Sequence, residues 1–206
     1  MRTSGLVLAL GYGGESFVEL NKIGEYPVFL HVVRNIGEVT EEVVLAVSKG
    51  SQDIYDKVIS EHGFNECRLV EISNSGDTLS ILEEGLSVVN GDIVITAPAN
   101  APLIPIDILA LLTELCEKRD AVLTRNIRGD VDWFLSAYNR RSLLGAIGAG
   151  GLRDMNDVIE RLRRVMYIAY STMKDLDPML LSSVRITRAS DIQMVEKILG
   201  EVWKRG

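Results

Sequence analysis

The sequence predicts one three-layer α/β/α domain over residues 1–206, built on a doubly wound, mostly parallel mixed sheet. Three observations carry that expectation. Short apolar runs alternate with helical segments five times from the N-terminus, the pattern of parallel strands joined by right-handed crossovers. The runs are continuous rather than alternating, as strands covered on both faces are. The turns are short, and no repeat, low-complexity segment or linker divides the chain. A chain of 206 residues is long enough for a sizeable core, since it buries roughly 70% of its unfolded surface.

The elements follow in order. Gly5 to Leu10 (GLVLAL) is the first buried strand. Pro27 opens a helix, PVFLHVVRNIG, with proline in its first turn and Gly37 as its stop. Val43 to Ser48 is the second strand. Gln52 to His62 is helical and Gly63 stops it. Arg68 to Ile72 is the third strand, and Thr78 to Val89 has helical spacing. Asp92 to Ala97 is the fourth strand, Pro105 to Lys118 a helix, and Ala121 to Arg125 the fifth strand. Beyond it the pattern loosens. Trp133 to Tyr138 reads as a strand that could run antiparallel. Gly145, Gly148, Gly150 and Gly151 suggest a flexible stretch. Met155 to Arg164 reads as a helix, Val165 to Tyr170 as a strand, and Ser190 to Trp203 as a closing helix with Asp191 in its first turn, where the helix dipole favours an acid.

Composition narrows the function classes. The chain is 47% hydrophobic and 25% charged, with a formal net charge of -7. A general nucleic-acid binder would be basic, and an anionic membrane surface would repel this chain. A small ligand or a protein partner fits better. Cys67 and Cys116 lie in apolar runs with no Cys-x-x-Cys and no histidine cluster nearby, which predicts two buried thiols in a reducing compartment. The first strand begins within four residues of Met1, and no apolar run could span a bilayer. The expectation is a cytoplasmic protein. Trp203 and the pair Trp133–Phe134 could mark a homodimer surface, although core packing is the commoner fate of such residues.

In open α/β sheets the ligand crevice lies beyond the carboxyl ends of the strands. The stretch LALGYGGES (Leu8–Ser16) runs from the first strand into a glycine loop there, and Pro98 to Leu103 should neighbour it. A P-loop is excluded, because no Gly-Lys-Ser/Thr follows. A dinucleotide-binding loop needs a third glycine or alanine where Ser16 stands. It also needs an acid at the end of the second strand, which ends in Ser48–Lys49.

A third reading rests on resemblance. Leu8-Ala9-Leu10-Gly11-Tyr12-Gly13-Gly14, followed by Leu20-Asn21-Lys22-Ile23-Gly24-Glu25-Tyr26-Pro27-Val28-Phe29-Leu30-His31-Val32, resembles the signature of nucleotidyltransferases with the glycosyltransferase-A-like fold. The molybdenum-cofactor guanylyltransferases (MobA-like) and archaeal cobinamide-phosphate guanylyltransferases are the most similar in pattern. Gly91 to Thr96 with Pro102-Leu103-Ile104 is similar to that family's strand and G/C-D-x-P-L-L loop. Tyr138-Asn139-Arg140-Arg141, Leu152-Arg153-Asp154 and Ala189-Ser190-Asp191-Ile192 resemble later segments, in order along nearly the whole chain. The resemblance implies the fold, a cytoplasmic nucleotide-linked role, and GTP as ligand with CTP second. It implies nucleotide contacts at Leu8, Ala9, Leu10, Gly11, Gly13, Gly14, Ser75, Gly76 and Asn100. It implies Mg²⁺ as cofactor if the chain is active.

The departures fall on the chemistry. The family's loop arginine corresponds to Glu15, which would repel phosphate instead of donating a charged hydrogen bond worth roughly 1.5–3 kcal/mol. Its lysine falls near Val18, with Lys22 close by. Its first metal-binding aspartate corresponds to Asn100, an oxygen donor without the charge that hard cations favour. The second metal position aligns with Arg185 or Thr187. Nucleotidyl transfer depends on positioning and on charge neutralisation by metal and cations, so the loop reads as a nucleotide cradle with its catalytic electrostatics removed. Asp130 and Asp132 could supply carboxylates to a displaced metal, or form only an acidic turn. Lys49, Arg125 and Arg128 could reach phosphates, or be ordinary surface cations. Asp77 could simply cap the helix beginning at Thr78.

Overall fold

The computed structural model describes residues 1–11, 17–73 and 76–202. A seven-stranded sheet forms the centre. It is built from β1 (Thr3–Ala9), β4 (Glu42–Ser48), β5 (Arg68–Ile72), β6 (Ile93–Pro98), β7 (Ala121–Arg125), β8 (Val131–Asn139) and β9 (Val165–Ala169). The strands lie in the order β5-β4-β1-β6-β8-β7-β9. β8 is antiparallel to both its neighbours, and every other pairing is parallel. The mixed sheet and the antiparallel element after the fifth predicted strand are therefore present. A two-stranded ribbon of β2 (Lys22–Ile23) and β3 (Tyr26–Pro27) stands apart from the sheet.

Helices cover both faces. α1 (Val28–Gly37), α2 (Gln52–His62) and α4 (Ile106–Cys116) share one face. α3 (Thr78–Val88), α5 (Arg140–Gly148) and α6 (Met155–Arg161) share the other. Alternate residues of each central strand feed the two cores. Val7 and Ala9 of β1 pack toward α1, whereas Leu6 and Leu8 pack toward α3. That two-sided burial is why β1 reads as an unbroken apolar run. α1 and α2 carry the chain outward from β1, and α3 returns it across the opposite face, so these three connections share one hand. α4 goes back to the α1 face while the chain moves away from β1. The β6–α4–β7 connection thus has the opposite hand, an exception to the uniformly right-handed crossovers expected. Antiparallel β8 fills the position between β6 and β7.

Local signals placed most boundaries within a residue or two. Gly63 ends α2 with φ +75°. Asp77 caps α3 through the Ser80 amide at 2.9 Å, and Asp154 caps α6 through the amides of Asn156 and Asp157. The glycine-rich stretch after β8 departs from expectation. Gly145 and Gly148 lie inside α5, which Asn139 caps through the Ser142 amide at 3.0 Å. Leu143 and Ile147 anchor that helix in the core, and their burial overrides the low helix propensity of glycine. Only Gly150 and Gly151 adopt the left-handed conformation there.

A third, smaller core joins the ends of the chain. Val18, Ile23, Val28 and Leu103 pack with Ile186 and with Val195 of α7 (Ser190–Val202). Cys67 and Cys116 are free and buried, and burial pushes both thiols up to about 12. Among the described residues no helix is long and apolar enough to cross a membrane.

Candidate functional site

The strand order reverses at β1 and β6. Their carboxyl ends are where an open α/β sheet presents its crevice. Leu8 is opposite Pro98 in the parallel register, and the Ala99 amide donates to the Leu8 carbonyl at 2.8 Å. The loops after β1 and β6 therefore leave the sheet side by side. Leu8, Ala9 and Leu10 turn their side chains into the cores. Gly11 is exposed and has φ +73°, with open space where a Cβ would stand. Its backbone conformation, not crowding, requires glycine. Gly76 has φ +78° and lies immediately before the α3 cap. Gly13, Gly14, Glu15, Ser75 and Trp203 lie outside the described residues.

Asn100 is 2% exposed. Its Nδ2 donates to the Ile186 carbonyl at 2.8 Å, and the Ile186 amide donates to the Asn100 carbonyl at 2.8 Å. The two positions matched to metal ligands, Asn100 and the 185–187 segment, are thus tied together. Asn100 Oδ1 is buried with no hydrogen-bond partner among the described residues, which costs about 1–3 kcal/mol in a folded protein.

Asp132 sits beside this pair because β8 bulges. The β7–β8 register shifts between Leu123 and Thr124, so that Thr124 faces Asp132 and Leu123 faces Ser136. Bulges of this kind re-aim side chains. The looped backbone is held by buried hydroxyls. Tyr138 donates to the Trp133 carbonyl at 2.8 Å, Thr124 to the Leu135 carbonyl at 2.6 Å, Ser136 to the Asp132 carbonyl at 2.7 Å and Thr96 to the Ser136 carbonyl at 2.9 Å. Asp132 Oδ1 accepts from the amides of Phe134 and Leu135. Its Oδ2 accepts from the Tyr170 hydroxyl at 2.7 Å and from Arg185 Nη2 at 2.6 Å. Arg185 Nη1 donates to the carbonyls of Ser182 and Val184. Burial, reinforced by the Asp132 charge, pushes the Tyr170 hydroxyl well above the usual tyrosine range. Tyr170 therefore stays a donor at neutral pH.

This geometry decides how the candidate ligands fare. Asp132 has both oxygens engaged and a cation attached, so it is not open to a metal. Thr187 Oγ1 donates to Asp191 Oδ2 at 3.0 Å and belongs to the start of α7. Asp130 stands in an exposed turn, accepting from Asn126 Nδ2 at 3.3 Å. Among the described residues no group of three His, Cys, Asp or Glu side chains could hold an ion. The described residues at this place do not fit Mg²⁺. Of the basic candidates, Arg125 lies over the Tyr167 ring, 4.4 Å from its centroid. Lys49 and Arg128 are exposed at the strand ends.

The residue patterns did not point to Tyr170, the hydroxyls of the bulge, or Glu19. Glu19 is fully buried in the turn Val18–Leu20 and accepts from the Tyr55 hydroxyl at 2.7 Å, while its Oε2 has no partner among the described residues. An acid between two apolar residues gives no local sign that it points inward.

No family model matches this sequence, and no curated protein does. Solved structures do. Molybdopterin-guanine dinucleotide biosynthesis protein A from Archaeoglobus fulgidus superposes with a TM-score of 0.71 at 16% identity, over 98% of this chain and 100% of that one. A nucleotidyl transferase from Methanothermobacter gives 0.71 at 16% identity, over 98% and 99%. 4-Diphosphocytidyl-2C-methyl-D-erythritol synthase from Anaerococcus prevotii gives 0.67 at 15% identity, over 97% and 96%. The chain has the nucleotidyltransferase fold over nearly its whole length.

Proposed function

We propose that this protein binds a nucleotide at the crevice between the β1 and β6 loops, as a MobA-like nucleotidyltransferase relative of the guanylyltransferase type whose metal-dependent transfer is weakened or lost. GTP is the favoured ligand and CTP the second. The observation that carries the reading is the union of Asn100 with the 185–187 segment at the switch point, on a fold shared with proteins whose names specify guanine and cytidyl nucleotide chemistry. In an active site of this type an acceptor phosphate oxygen would attack the α-phosphorus of the nucleoside triphosphate, and pyrophosphate would leave. The second reading is a non-catalytic relative that holds a nucleotide or nucleotide-linked cofactor, or serves as a partner subunit. The ion pair between Asp132 and Arg185 favours it, because it already occupies the Asp132 carboxylate with a cation.

Thermal unfolding with GTP, CTP, ATP and UTP, with and without Mg²⁺, tests this. Ligand at about 100 times its dissociation constant adds roughly 2.7 kcal/mol, or several degrees at about 2–4 °C per kcal/mol. The expected result is a shift with one guanine or cytosine nucleotide. A shift that requires Mg²⁺ would restore the enzyme reading. No shift with any of the four would overturn nucleotide binding.

A further inference from the structure

We infer that the Asp132–Arg185–Tyr170 cluster fills the place of a divalent cation at this crevice, closing it to metal, so that the ligand is taken without one. As regards the ligand, this rests on the nucleotide reading above.

A carboxylate binds a hard cation through open oxygen lone pairs, and Asp132 has none open. Two backbone amides hold Oδ1, and a hydroxyl and a guanidinium hold Oδ2. A metal would have to displace all the Oδ2 partners and then sit against a fixed positive charge. The guanidinium cannot neutralise itself by losing a proton, and two carbonyls of its own segment fix it in place. The cluster is also rigidly mounted. The β8 bulge sets Asp132, the paired bonds to Asn100 set the 185–187 segment, and Tyr170 is 2% exposed. Asn100 Oδ1 is left as a neutral acceptor, suited to an N–H or O–H of the ligand.

Electron paramagnetic resonance of Mn²⁺ with the intact chain reads the metal directly. The expected result is an undiminished free Mn²⁺ signal with the unaltered protein. The double variant Asn100→Asp/Arg185→Ala, which frees Asp132 and adds a second carboxylate, should quench the signal. One Mn²⁺ bound per unaltered chain overturns the inference. So does a double variant that melts cooperatively yet binds no Mn²⁺. If the double variant fails to fold, the unaltered chain decides alone. Calorimetric titration of GTP and CTP in EDTA and in Mg²⁺ separates the two readings. Affinity unchanged by EDTA supports both. Binding only with Mg²⁺ overturns the metal-free crevice and leaves the nucleotide reading standing. No nucleotide and no Mn²⁺ bound would defeat the nucleotide reading and support a crevice closed to metal.

Discussion

Glu42 gathers four hydrogen bonds at the amino end of the sheet, opposite the crevice. Ser4 Oγ donates at 2.6 Å, Arg68 Nη2 at 2.8 Å, and the Asn90 amide and Nδ2 at 3.0 and 2.8 Å. Burial alone would raise this carboxyl, but the bonds from Ser4, Arg68 and Asn90 outweigh it and hold it at about 2. The folded value is depressed, so the contribution to stability is present above the ordinary 4.5 and is lost as pH falls from there toward 2. At about 1.4 kcal/mol per unit this amounts to roughly 3 kcal/mol. Glu42→Gln should lower stability at neutral pH and flatten the acid limb between those values. Urea midpoints measured against pH would show it, and parallel acid limbs for variant and unaltered chain would sink the assignment. Asn100 is the converse case, a buried polar group whose Oδ1 has no partner among the described residues.

At the scale of elements, β8 is where the sheet gives up regularity for a site. Three residues between Asp132 and Ser136 loop out of the β7 register, and side chains take over the hydrogen bonds that the ladder abandons. Tyr138→Phe removes the shorter of the two hydroxyl contacts to the Trp133 carbonyl and leaves it only the Thr96 hydroxyl at 3.4 Å. The expected penalty is about 1–3 kcal/mol, read as a lowered urea midpoint. A variant as stable as the unaltered chain would mean that water or relaxation replaces the hydroxyl. This element also marks the limit of the sequence. Continuous apolar runs located β1, β4, β6 and β7, because two-sided burial leaves that trace. The caps at Asp77 and Gly63 located helix ends for the same local reason. The bulge left none. It depends on Thr96 and Thr124, hydroxyls from two other strands, and no spacing in one segment reveals partners in another. The pairing of Asp132 with Arg185 spans 53 positions and is invisible for the same cause. The resemblance brought Asn100 and Arg185 into question, yet only the fold shows the cation already paired.

For the molecule as a whole, the third core makes the chain's late segments part of its early ones. Ile186 and Val195 bury against Val18, Ile23 and Val28 from the segment between β1 and α1, and against Leu103 from the loop after β6. The Asn100–Ile186 bonds add a polar tie at the same place. Residues after β9 thus pack at the carboxyl end of the sheet against these earlier segments. Unfolding them would expose that apolar cluster and release the backbone partners of Asn100 together. The two main cores are themselves coupled, because each central strand contributes alternate side chains to both. The consequence is one cooperative transition. Scanning calorimetry should give a single peak whose calorimetric and van't Hoff enthalpies agree. Ile186→Ala should move that whole peak by several degrees, since large-to-small changes in a core remove about 2–5 kcal/mol and each kcal/mol is worth roughly 2–4 °C at this size. A split peak, with only the smaller part moved by Ile186→Ala, would show that the final segment is an independent unit. The crevice would then be assembled by docking rather than by folding.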